Sequence, residues 1–178
     1  MADAVSWLVL VYKVPTEPAR IRAAVWRRLK GLGAVYLQDG TAAMPASSSA
    51  ERALRALQNE IGEFGGVGYL LACEMIAGQT EIVATYNRAR DEEYEEIVDR
   101  CRDFEVEIEN ELAARHLTYA ELEENDEDLT KLKNWLAKVQ SRDVIGAEGG
   151  AGAVAAVAEC EVALEGFAAQ VYEAEGLR

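Results

Sequence analysis

Val5–Val14, VSWLVLVYKV, is rich in valine, leucine and aromatic residues, nearly continuous in hydrophobicity, and stopped by Pro15. A short apolar run bounded in this way predicts a strand in the interior of a sheet. The period then changes. Ile21, Val25, Leu29 and Leu32 recur every three or four residues behind Pro18, giving a helix one buried stripe before the Gly31 and Gly33 breakers. Ala34–Leu37 and Ala42–Met44 are two short strand candidates around Asp39-Gly40, a turn where glycine can take a positive φ. Ser47, Ser48 and Ser49 offer N-caps to a helix whose apolar face is Ala53, Leu54, Leu57, Ile61 and Phe64, ended by Gly65-Gly66. Val67–Ile76 returns to strand character. The order β-α-β-β-α-β predicts an α+β fold of the split βαβ, ferredoxin-like kind, an antiparallel sheet with two helices on one face.

Beyond Gly78 the pattern is helical. Tyr94, Ile97, Cys101, Phe104, Ile108 and Leu112 repeat at three and four residues, and this spacing outlasts the strand-like alternation of Phe104–Ile108. Thr118 and Glu121 have capping-box spacing, with Leu117 and Leu122 placed for a hydrophobic staple, so a second helix should begin at Tyr119. Along it Leu122, Leu129, Leu132, Leu136 and Val139 form an approximate heptad seam broken by Asn125, and Glu127 with Lys131 gives an i,i+4 pair. Gly146–Gly152 reads as a linker or turn before a final helix through Val154, Val157, Cys160, Leu164, Phe167 and Val171. The expected organisation is a ferredoxin-like domain over residues 1–78 and an acidic extension of about three helices over 79–178, packed on or beside it.

Composition limits the function classes. A chain of 178 residues, half of them hydrophobic and only three of them proline, can bury a substantial core and is not a disordered tail. No window approaches the roughly 18 uninterrupted apolar residues of a membrane span, and the start lacks the pattern of a secretory signal, so a cytoplasmic location without membrane contact is expected. Cys73, Cys101 and Cys160 are far apart and accompanied by a single histidine, which favours reduced, structural cysteines over disulfides or zinc. The net charge of −14 would discourage a nucleic-acid partner if it were spread evenly, but residues 91–128 alone hold 17 acids against three bases. Residues 1–90 carry ten bases against eight acids, and five of those bases lie between Arg20 and Lys30.

The opening WLVLVYKVP, the helix with VWRRLKGLGAVYLQDG, and above all TYAELEENDEDLTKLKNWLAKVQSRD resemble the N-terminal region of the ChrB family, chromate-responsive regulators of bacterial chromate-resistance operons. The resemblance spans nearly the whole chain, with ELEEN, Trp135 and Arg142-Asp143 its most specific points. It implies transcriptional regulation, with basic residues of this region contacting operator DNA. Longer members of the family carry a second, C-terminal chromate-resistance domain that would begin near Arg178. Any sensing housed there is then expected to be absent or supplied by another chain. A winged helix is the main competing architecture for such a regulator, and the strand order fits it poorly.

At 100° per residue Arg20, Arg27 and Lys30 project together opposite Ile21, Val25, Leu29 and Leu32, with Arg22 and Trp26 flanking them and Arg28 near the apolar edge. This ridge can pair with phosphates and release counterions, giving salt-sensitive affinity without base readout. The plainer reading is a solvated helix face, neutralised by the acidic helix of residues 91–111. Chromate is an oxyanion and would need arginines or helix N-terminal amides. Arg20, Arg22, Arg27, Arg28, Arg88 and Arg90 are the available donors, and no spacing singles out a pocket. The acids from Glu121 to Asp128 lack the spacing and glycine of an EF-hand and read as a solvated face, so no metal and no cofactor is expected. His116 lacks a nucleophile partner, the serines at 47–49 read as caps, and Trp7, Trp26 and Trp135 read as packing residues rather than base-stacking platforms.

Three classes remain. The first is a DNA-binding regulator acting through Arg20, Arg22, Arg27, Arg28 and Lys30, as a homodimer on operator DNA. The second is a non-enzymatic interaction or scaffold module, whose acidic helices and Leu122–Val139 seam bind a partner chain carrying the C-terminal domain. An enzyme is the least favoured, because a reactive thiol needs an electropositive, accessible setting that none of the three cysteines has in sequence.

Overall fold

The computed structural model describes residues 5–176, a mixed α/β chain with the element order β1 (Ser6–Lys13), α1 (Ala19–Leu32), β2 (Val35–Gln38), β3 (Thr41–Pro45), α2 (Ser48–Glu63), β4 (Val67–Glu74), α3 (Gln79–Ala114), α4 (Tyr119–Arg142) and α5 (Gly150–Ala174). It divides into two compact units, one up to Tyr86 and the other from Asn87 onward, and the division falls inside α3.

In the first unit the four strands form one sheet of order β2-β3-β1-β4, every neighbouring pair antiparallel. β1 lies inside the sheet, as its continuous hydrophobicity requires, with Leu8 opposite Met44 on one side and Ala72 on the other. Alternation sorts the side chains by face. Leu8, Leu10, Ala42 and Met44 join Val25 and Leu29 of α1 and Leu54, Leu57 and Ile61 of α2 in one buried core. Trp7, Val9 and Val11 point the other way. There the indole of Trp7 is wholly buried, donates to Gln79 Oε1 at 3.3 Å and meets Tyr86 edge to face at 6.0 Å, so the first turns of α3 belong with the sheet.

The punctuation is local chemistry. Gly33 closes α1 in a left-handed conformation, φ 84°, its N–H reaching Lys30 O at 2.9 Å. Ser47 Oγ accepts from Ala50 N at 3.1 Å at the start of α2. At the β2–β3 turn Gly40 has φ +72°, and a Cβ there would stand 2.5 Å from the Tyr12 carbonyl oxygen, while Tyr12 N donates to Gly40 O at 2.7 Å. Only glycine fits both the angle and the approach.

The second unit is a three-helix core. Tyr94, Ile97, Cys101, Phe104 and Ile108 of α3 pack with Leu129, Leu132, Leu136 and Val139 of α4 and with Val157, Cys160, Leu164, Phe167 and Val171 of α5. Thr118 Oγ1 accepts from Glu121 N at 3.3 Å, and Leu117 and Leu122 both pack against this core. Asn125 is buried and ties its amide to Glu121 O at 2.8 Å, so the polar break in the seam closes on its own helix. Two readings are corrected. Lys131 pairs with Asp128 at 2.6 Å, one residue nearer than Glu127. Gly150 and Gly152 lie within α5 rather than in a linker, and a Cβ added at Gly149 would stand 3.1 Å from Tyr94 Cβ and one at Gly150 3.4 Å from the Tyr94 ring.

Candidate nucleic-acid interface

α1 buries Val25 and Leu29 against the sheet and α2, which leaves Arg20, Arg22, Arg27, Arg28 and Lys30 exposed. The five do not behave alike. Arg28 pairs with Glu60 of α2 at 3.3 Å, and Arg27 Nε donates to the Ala23 carbonyl at 3.3 Å within its own helix. Among the described residues Arg20, Arg22, Arg27 and Lys30 enter no ion pair. A row of cations on one helix without carboxylate partners is a surface on which phosphates can displace only water and counterions. Arg28 is the weakest member of the set, since a phosphate would compete with Glu60 for it.

Trp26 departs from its expected packing role. Its side chain is 51% exposed, whereas Trp7 is buried completely and Trp135 half-buried against the helical core. With Arg22 it lines a groove of about 500 Å³ whose other walls include Lys13, Tyr12, Tyr36 and Asp39. Tyr12 and Tyr36 share a hydroxyl hydrogen bond of 3.0 Å there, and burial, followed by that bond, raises the Tyr36 phenol well above its ordinary range.

Other candidates resolve into structural roles. Arg88 is exposed, but Arg90 is only 2% exposed and pairs with Glu93 at 2.8 Å, while Glu93 also receives Arg142. Arg90 is therefore a buried brace and not an oxyanion donor open to solvent. Asp143 accepts from Gly146 N at 3.0 Å, Ala147 N at 2.9 Å and the Tyr94 hydroxyl at 3.0 Å. Burial, followed by that bond to Asp143, lifts Tyr94 to about 12. The Arg142-Asp143 pair that helped carry the sequence resemblance thus ties the end of α4 to α3 and to the start of the α4–α5 connection. Its signal in the sequence was a helix-end Arg-Asp ahead of glycine, and its partners 49 residues upstream were invisible there.

Cys101 and Cys160 are buried, with Cys160 Sγ 3.5 Å from the Cys101 carbonyl. Burial raises both thiols, Cys160 to about 12, the reverse of what a nucleophile needs. His116 is exposed and joins Glu111 at 2.9 Å beside Arg115, whose positive φ of 57° makes the α3–α4 turn. The acids pair locally, Asp99 with Arg102 at 2.7 Å and Asp103 with Arg100 at 3.4 Å, and no group of three or more histidine, cysteine or carboxylate residues among those described could hold a metal ion. The Leu122–Val139 seam proposed for a partner is buried in the chain's own helical core. Among the described residues no helix is long and apolar enough to cross a membrane.

No solved structure matches the chain significantly. The protein named Protein ChrB from Cupriavidus metallidurans is 30% identical to it over 76 residues, 43% of this chain and 24% of that protein. The match thus spans about a quarter of the relative's length. A family model described as Protein ChrB, N-terminal, matches residues 22–177, which include the basic helix from Arg22, the capped helix α4 and the Arg142-Asp143 tie, and the chain belongs to that family.

Proposed function

We propose that this protein is a non-enzymatic, cytoplasmic regulator associated with chromate resistance, which binds operator DNA as a homodimer through the cationic ridge of α1. We further assign its first unit to the ferredoxin-like, split βαβ class, on the strand order β2-β3-β1-β4 and two helices sharing one sheet face. The observation that carries the functional reading is the exposure of Arg20, Arg22, Arg27 and Lys30 on one helix with no carboxylate held against them among the described residues. In a chain of net charge −14, such a row is a local exception, and phosphate contact is the use to which it is suited. Arg28 contributes at the edge after release from Glu60.

The test is fluorescence anisotropy of labelled duplex from the protein's own upstream region, with and without chromate. Specific binding that is greatly weakened when Arg20, Arg27 and Lys30 become alanine supports the reading, and absence of binding at low salt rejects it.

A second reading, a protein-interaction module working with a chain that carries a C-terminal ChrB-type domain, draws on the edge strand β4. Its Val67, Tyr69 and Leu71 are exposed on the sheet face opposite α1 and α2, Tyr69 at 66%. A stable hetero-complex formed without any DNA affinity would favour it over the first.

A further inference from the structure

We propose that the groove between α1 and the β2–β3 turn binds a nucleoside phosphate, its base stacked on Trp26 and its phosphate held by Arg22 and Lys13. The inference does not depend on the ridge binding duplex DNA. It starts from an anomaly: α1 has ample apolar residues for its buried stripe, and yet it places an indole half in solvent, one helical turn from Arg22. An exposed indole beside a cation, at the wall of a groove of about 500 Å³, combines a stacking surface with an anion site in a space of the size small ligands occupy.

The remaining walls narrow the ligand. Lys13 supplies a second cation, which suits the double charge of a phosphate monoester better than a lone carboxylate. Asp39 lies in the same lining and would repel a bare inorganic oxyanion, but it can accept from a base amino group or a ribose hydroxyl. Tyr12 and Tyr36 add two hydroxyls 3.0 Å apart. One proton is used between them, which leaves the other hydroxyl a donor and both oxygens with acceptor capacity. A ligand that is anionic at one end, planar and aromatic at the other, with N–H or O–H donors between, satisfies all these groups at once. The site is also preformed, because Tyr12 N is bonded to Gly40 O at 2.7 Å and the close approach of Gly40 to Tyr12 fixes the turn that carries Asp39.

The same base and phosphate can arrive as a free nucleotide or as a residue of a single strand, and one experiment separates the sources. The full chain is titrated by calorimetry and tryptophan fluorescence with adenosine 5′-monophosphate, adenosine, inorganic phosphate and a short single-stranded oligodeoxyadenylate. The expected result is that the monophosphate or the single strand binds at least about tenfold more tightly than adenosine or phosphate. Trp26→Ala should weaken that binding by about tenfold or more, the scale of base stacking on an aromatic side chain. Arg22→Gln should remove the advantage of the monophosphate over adenosine. Comparable affinity for monophosphate and strand identifies a free nucleotide as the ligand, and a large preference for the strand identifies nucleic acid. Trp26 and Arg22 are both exposed, and unchanged circular dichroism of the variants would separate impaired binding from an impaired fold. No binding of either ligand, or binding that Trp26→Ala and Arg22→Gln leave unchanged, overturns the proposal.

Discussion

Asp143 is the residue on which the helical unit depends beyond its apolar core. Its carboxylate takes two backbone N–H groups of the α4–α5 connection and the hydroxyl of a tyrosine that is itself buried. Removing an acceptor of this kind leaves donors without partners, at about 1–3 kcal/mol for each that stays buried. Asp143→Ala should therefore lower stability by roughly 2–3 kcal/mol in urea denaturation. Tyr94 adds a pH signature. Its phenol, held at about 12 against an ordinary value of 10, is neutral in both folded and unfolded chains below pH 10. Between pH 10 and 12 the unfolded chain ionises first, so the fold loses stability as pH rises through that window. Urea midpoints of the wild type and Tyr94→Phe should differ most below pH 10 and converge toward pH 12. The thiols give a third expectation, read by mass spectrometry after alkylation at pH 8. Cys73 should be modified in the native protein, whereas Cys101 and Cys160, buried with raised thiols, should react only as the helical core opens.

The helices and strands were largely legible in the sequence because each begins and ends on local chemistry. Thr118 and Glu121 place the start of α4, Gly33 the end of α1 and Ser47 the start of α2, all interactions within a few residues. What escaped was set by distant partners. The segment Gly146–Gly152 read as a linker or turn, but Gly150 and Gly152 are helical, and Gly149 and Gly150 lie close against Tyr94, more than fifty residues upstream. Arg90 read as an available anion donor because, although Glu93 stands three residues on, its burial and the engagement of Glu93 by Arg142 are set by packing at long range. The candidate site was legible only in part. The five bases of α1 were found by periodicity, but the engagement of Arg28 with Glu60 and the exposure of Trp26 depend on how α1 lies against α2 and the hairpin. The β2–β3 turn allows a sharp test at this scale. Gly40→Ala forces a side chain into the left-handed region and within 2.5 Å of the Tyr12 carbonyl oxygen, so it should destabilise by more than the roughly 1 kcal/mol of an ordinary glycine exchange. A urea midpoint equal to that of the wild type would contradict the rigid turn.

Over the whole molecule, charge rather than chemistry distinguishes this chain. Seventeen acids lie between residues 91 and 128, while five bases lie between 20 and 30, and the two groups fall in different compact units. The acids of α3 include pairs with arginines of their own helix, and four of the five α1 bases enter no ion pair among the described residues. Net charge alone would argue against a nucleic-acid partner, but the first unit carries none of that excess, with eight bases against eight acids, and five of its bases gather on α1. Cys101 and Cys160 are buried with raised thiols, the reverse of what a nucleophile needs. The chain belongs to the ChrB N-terminal family, and the regulatory role proposed for it rests on one helix face. The most direct test is the slope of log affinity against log salt concentration for upstream duplex DNA, measured on the wild type and on the Arg20→Ala, Arg27→Ala, Lys30→Ala variant. If the ridge meets phosphates, the variant's slope should be shallower by roughly 2–3, about 0.9 for each phosphate that the variant no longer neutralises. Equal slopes for the two proteins, or no binding of the wild type at low salt, would contradict the claim that α1 is a DNA-contacting surface.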